Sequence, residues 1–194
     1  MPSRIRFNAG FSLIELLIVI SIMGVLAAMA IPSLNASLHD QLRSAARIVA
    51  SDLSYGGSLA VANGSNYRFT FDLPNNRYVL EHAGTNGALA TLPRTPFRSP
   101  QDPPTQHIFD LDELPRIGGA IRLSAVGATG PAPQKVTTLE FDPLGATTRG
   151  EETAIWLTGG AGSDARYISV FVNPVTGIAT VGDFQGAAPP AAIR

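Results

Sequence analysis

Residues 11–31 read FSLIELLIVISIMGVLAAMAI, an apolar run interrupted by one charged side chain, Glu15. Built as a helix, the run is ~32 Å long at 1.5 Å per residue, enough to cross the hydrocarbon core of a bilayer. Arg4 and Arg6 stand ahead of it, with no acid among them. The positive-inside tendency then keeps the N-terminus in the cytoplasm and sends the long C-terminal part outward. Pro32 follows at once. Its missing N–H loosens the hydrogen-bond ladder and allows a bend, or else it ends the helix.

Three kinds of segment fit this outline. A secretory signal peptide has a shorter apolar core followed by a small-residue cleavage site, which Ala27, Ala28 and Ala30 imitate. A plain signal anchor accounts for the length and leaves Glu15 without a reason. The third kind, which gives the acid a use, is implied by the resemblance of residues 10–15 to a known family of signals. A carboxylate at mid-membrane costs about 2.5–3.5 kcal/mol on insertion scales. In a water-free helix bundle it needs a cationic partner or a proton.

Outward from this segment the composition changes. Of 194 residues, 45% are hydrophobic and only 15% charged, which suits one domain with an apolar appendage. A net charge of -1 gives no global field to recruit nucleic acid. The absence of cysteine excludes disulfides, thiolate metal sites and cysteine nucleophiles. Leu34, Leu38, Leu42, Ala46, Val49, Leu53 and Ala60 recur at helical spacing, opposed by His39, Gln41, Arg43, Arg47 and Asp52. That pattern predicts an amphipathic helix from about residue 33 to 62, closed by Asn63-Gly64, with Gly56-Gly57 as a possible break.

Beyond residue 66 the period becomes two. Tyr67, Phe69 and Phe71 alternate with Arg68, Thr70 and Asp72, and residues 77–82 return as a hairpin partner. Further strands are expected at 119–124, 136–142, 153–158, 166–172 and 177–182, with turns at Asp142-Pro143-Leu144-Gly145 and 173–177. Residues 109–112, in which Phe109 and Leu111 alternate with acids, suit an edge strand. The proline-rich stretch 93–106 is a loop or extended excursion, and the tail 186–194 is expected to be disordered. The fold class is α+β: a long N-terminal helix, half transmembrane and half amphipathic, packed on an antiparallel sheet or β-sandwich head.

The string Gly10-Phe11-Ser12-Leu13-Ile14-Glu15 resembles the cleavage and methylation signal of type IV prepilins and type II secretion pseudopilins. Ser12 stands where threonine is commoner in that group, and Pro32 matches a proline frequent there. The resemblance implies a leader of residues 1–10, cut by a prepilin peptidase between Gly10 and Phe11, and N-methylation of Phe11. It also implies that Glu15 pairs with the new amine of a neighbouring subunit, setting the axial stagger of a filament while offsetting desolvation. The parts are then 11–31 as the transmembrane half of the helix, 32–63 as its periplasmic half, 64–185 as the head and 186–194 as the tail. Residues 59–64 entering 67–72, with 75–78, 139–145 and 169–181, resemble the helix-to-hairpin passage and closing stretches of H-type minor pseudopilins, the GspH/FimT family. Implied partners are the prepilin peptidase, other pseudopilins or pilins, and inner-membrane lipid. No nucleic acid, cofactor or metal is expected.

The signatures of common catalytic sites are missing from the sequence. Lys135, the only lysine, lies in no phosphate loop, and neither a serine-hydrolase elbow nor H-E-x-x-H occurs. Gly159-Gly160-Ala161-Gly162 reads as a hairpin loop; Asp110, Asp112 and Glu113 match no EF-hand spacing. Two rivals to secretion remain. One is a minor pilin of a type IV pilus, including the DNA-uptake kind, although Arg68, Arg77, Arg94, Arg98, Arg116, Arg122, Arg149 and Arg166 are scattered among acids. The other is a signal-anchored periplasmic enzyme or receptor.

Overall fold

The computed structural model describes residues 12–30, 38–94, 102–115, 117 and 119–194. The chain divides between Ser37 and Leu38 into an N-terminal unit and a head. The N-terminal unit contains helix α1, Leu13–Ala30. The expected cleavage point at Gly10/Phe11, the bend at Pro32 and the start of the amphipathic helix lie outside the described residues.

The head starts with helix α2, Leu38–Asn63. Nine strands follow among the described residues: β1 (Tyr67–Asp72), β2 (Arg77–His82), β3 (Gln106–Asp110), β4 (Ile121–Ala128), β5 (Gln134–Lys135), β6 (Thr138–Phe141), β7 (Thr153–Gly159), β8 (Arg166–Val172) and β9 (Ala179–Gln185). They form two antiparallel sheets, one ordered β3-β2-β1-β6 and the other β5-β4-β7-β8-β9. The strand expected at 136–142 is β6, Thr138–Phe141, and a short strand not expected, β5, precedes it. β5 extends the five-stranded sheet, β6 joins β1 in the other, and the chain changes sheets at Val136-Thr137.

Both sheets turn apolar side chains toward α2. Phe69, Tyr78, Leu80, Leu139 and Phe141 come from one; Ile121, Ile155, Leu157, Ile168 and Val170 come from the other; all join Leu42, Val49 and Leu53 in one core. Covering two sheets takes a wider arc than a single stripe, so Ala45, Ala50, Gly56, Gly57 and Leu59 are buried as well. Gly56-Gly57 does not break the helix. A methyl on Gly56 would overlap the Phe69 ring, and Gly57 leaves 3.4 Å between such a methyl and the Phe141 ring. The glycines give up helix propensity and let the helix axis approach two aromatic rings.

A buried asparagine joins the sheets. Asn76, in the β1–β2 turn, has φ 51°, a left-handed conformation that asparagine tolerates better than most residues. Its Nδ2 donates to Asp112 Oδ1 (2.7 Å) and to the Ile121 carbonyl (2.9 Å), while its Oδ1 accepts from the Leu123 N–H (2.8 Å). The turn was legible as a turn; the tether to β4 was not.

The tail departs from expectation. Residues 186–194 are not a loose end: a 3₁₀ turn at Ala191–Ile193 buries Ile193 against Ala125, Ala154 and Trp156, because β4 presents Gly127 where a side chain would block it.

Two substitutions test this account by urea denaturation of residues 38–194. Gly56→Ala should destabilise the head by about 1–3 kcal/mol through overpacking, despite the better helix propensity of alanine. Asn76→Ala should cost about 2–4 kcal/mol, because it strands buried partners and strains the turn.

Candidate functional site

The side chains of α1 are apolar on every side. Leu13 is 82% exposed, and Ile14, Leu16, Leu17, Ile18, Val19, Ile20, Ile22, Met23, Val25 and Leu26 are all exposed. Its polar groups are met within the helix, as where Ser21 Oγ donates to the Leu17 carbonyl at 2.8 Å. A helix apolar all round belongs in lipid or inside a bundle, since one wetted face would call for polar residues. Glu15 sits in its first turn, exposed like its neighbours. Among the described residues no helix is long and apolar enough to cross a membrane. The 18 residues of α1 span ~27 Å against a core of ~30 Å, and the expected span also takes in Phe11 and Ile31.

The large exposed apolar side chains of the head gather at one place. Val61, Leu144, Val175 and Ile178 are exposed around a groove of about 450 Å³ between the last turns of α2 and two loops. Both loops are held by Asx turns. Asp142 Oδ1 accepts from the Leu144 and Ala146 N–H groups, and Asn173 Oδ1 accepts from those of Val175 and Thr176. The groove lining, which includes Ser54, Ser58, Ala62 and Thr176, carries no charge.

Three of the head's arginines are engaged locally. Arg68 meets Glu140 at 2.9 Å, Arg77 meets Asp72 at 3.0 Å, and Arg166 donates to the carbonyls of Ser163 and Ala165. Arg98 and Arg116 lie outside the described residues. Among the described residues no group of three or more His, Cys, Asp or Glu is placed to hold a metal. Asp110, Asp112 and Glu113 end and follow the edge strand β3, where Asp112 serves the tether to Asn76.

Asp52 was read onto the polar face of α2, and the structure corrects that placement. It is half-buried, and the buried Tyr78 hydroxyl donates to its Oδ2 at 2.5 Å. Burial pushes its carboxyl up from 3.8 to about 6, only partly offset by the Tyr78 hydrogen bond. Burial and the adjacent carboxyl likewise raise the tyrosine well above its ordinary value. The pair ties helix to sheet. A helical stripe indicates which face turns inward but not that a second sheet extends the covered arc to Asp52.

Residues 5–31 match the prokaryotic N-terminal methylation motif. That motif covers the N-terminal segment of the chain. The chain is 28% identical over 156 residues to the type II secretion system core protein G of Dickeya chrysanthemi, a match spanning 79% of this chain and 90% of that one. Among solved structures it is similar to the minor pseudopilin EpsH from the type II secretion system of Vibrio cholerae, with a TM-score of 0.48 and 11% identity over 73% of this chain and 95% of that one. It is also similar to the Pseudomonas aeruginosa type IV minor pilin FimU, with a TM-score of 0.44 and 16% identity over 79% of this chain and 96% of that one. Neither structural likeness decides between the two systems.

The raised Asp52 pKa has a consequence for the stability of the head. Folded chains hold the proton more tightly than unfolded ones, so the contribution is complete below pH ~4 and lost as pH rises through about 6. Unfolding measurements at pH 4.5 and 7.5 should differ by about 2–3 kcal/mol from this group. Asp52→Asn should keep the acceptor for Tyr78 and flatten that dependence.

Proposed function

We propose that this chain is a minor pseudopilin of a type II secretion filament, of the H type, acting through shape and packing rather than catalysis. The observation that carries the reading is α1: a helix apolar on all sides, bearing one acid in its first turn, within a methylation motif at residues 5–31. On this reading a prepilin peptidase cuts between Gly10 and Phe11. Glycine there leaves the extended backbone open to close approach by the enzyme. Phe11 is then N-methylated, and its amine faces Glu15 of an adjacent copy.

The precursor is anchored in the inner membrane as a single span, with its N-terminus cytoplasmic and its head periplasmic. Pro32 supplies a bend where the helix leaves the bilayer. In the filament, apolar helices stack and the heads face outward, helping to move folded proteins toward the outer membrane. The H-type assignment rests on the head passages at 59–72, 139–145 and 169–181. No cofactor, metal or nucleic acid enters this account.

Mass spectrometry of protein from its native host should find a mature chain beginning with N-methylated Phe11; a chain beginning with Met1, or beyond Ile31, would sink the reading. Glu15→Ala should still be cut by the peptidase but be incorporated into filaments at least about tenfold less, the equivalent of ~1.4 kcal/mol of lost pairing. Pull-down of the filament, with cleavage followed on the same samples, separates assembly from processing.

A further inference from the structure

We propose that the socket over Gly127, on the face of the five-stranded sheet away from α2, is an acceptor for an isoleucine-bearing C-terminal segment, and that a second copy of this chain can fill it with its own residues 186–194. In the isolated subunit the chain's own tail occupies it.

The socket is built for a branched aliphatic side chain. Ile193 is buried in a small cluster of its own with Ala125, Ala154 and Trp156, flanked by Tyr167 and Phe171 and separate from the main core. A side chain at position 127 would overlap Ile193. Attachment rests on two buried residues, Ile193 and Pro189. Among the described residues, the hydrogen bonds of this segment are internal: Ile193 N–H to the Pro190 carbonyl, Arg194 N–H to that of Ala191, and Arg194 Nε to that of Pro189. Two buried side chains are thus set against the ordering of the whole segment, and these opposing contributions are of the same order.

The seat is also imperfect. Trp156 Nε1 and Ser169 Oγ are buried without a hydrogen-bond partner, and Trp156 and Ser169 are register partners on β7 and β8, so both face the tail. Reach favours exchange. From β9 to β4 is three strand spacings, ~14 Å, whereas residues 186–193 extend to ~28 Å, so a released tail can reach a neighbouring socket. Swapping an identical terminal element costs little, because every contact is remade.

The test uses residues 38–194, a compact unit with its own core, and does not depend on the filament reading. Trp156, the single tryptophan, is the reporter. Ile193→Asp should shift its emission to the red and raise acrylamide quenching severalfold, with the circular dichroism spectrum kept. Should that variant unfold, the chain ended at Gln185 takes its place. Adding the peptide GAAPPAAIR should reverse both changes, and the same peptide with Ile193→Ala should bind at least ~10-fold more weakly. Mixing Ile193→Asp heads, which have an empty socket, with Gly127→Ala heads, which have a blocked socket and a free tail, should give a one-to-one dimer that neither forms alone. Unchanged quenching, equal binding of the two peptides or a mixture that stays monomeric would each overturn the proposal.

Discussion

One helix serves two sheets, and the rest of the head follows from that. A helix packed on a single sheet can keep polar residues over most of its circumference. α2 cannot, because β1, β2 and β6 approach from one side while β4, β7 and β8 approach from the other. The sequence meets this with small residues at the closest points: Ala45, Ala46 and Ala50 on one stretch, Gly56 and Gly57 on the next. Larger side chains there would push a sheet away and open voids elsewhere in a close-packed core. The Asp52–Tyr78 pair has the same origin, since Tyr78, on the four-stranded sheet, reaches Asp52 at the edge of that covered arc.

Two sheets around one helix also need to be held to each other. They are separate hydrogen-bonded systems, with no ladder between them. Asn76 bridges that gap with one donor and one acceptor spent on Ile121 and Leu123 of β4, its second donor going to Asp112 just after β3. Buried polar groups are favourable when every partner is satisfied, and they fix geometry that apolar contact alone leaves free to slide. The chain's passage between sheets at Val136-Thr137 adds a covalent tie.

Local patterns in the sequence carried much of this. Alternation in 67–72 and 77–82 identified β1 and β2 residue for residue, and the turn chemistry of Asp142 and Asn173 marked where strands end. What stayed hidden depends on residues remote in sequence. Gly56-Gly57 looks like a weak point until Phe69 and Phe141 are placed beside it. A tail of alanine, proline and glycine has the composition of disorder, and only Gly127 on another strand makes Ile193 a plug. β5 and the change of sheet before β6 stayed hidden because period two says nothing about which sheet a strand joins. At the N-terminus the situation is reversed: the motif is wholly local, which is why residues 5–31 are recognisable from sequence.

That N-terminal unit and the head answer to different solvents. The head buries its apolar residues against itself, whereas α1 exposes nearly all of its own. Moving such a helix from lipid into a helix bundle gains little from the hydrophobic effect, since lipid tails are as apolar as leucine. A filament built from α1 therefore needs an interaction that bundle and bilayer value differently. On the proposed reading Glu15 supplies one: in lipid a carboxylate has no counter-ion, whereas among neighbouring copies it would meet the amine freed at Phe11. The rest of α1 is indifferent to the choice of environment, so one side chain can bias the whole segment toward assembly. In that proposal the same acid would also fix the register, because a greasy rod alone has no preferred axial position against another.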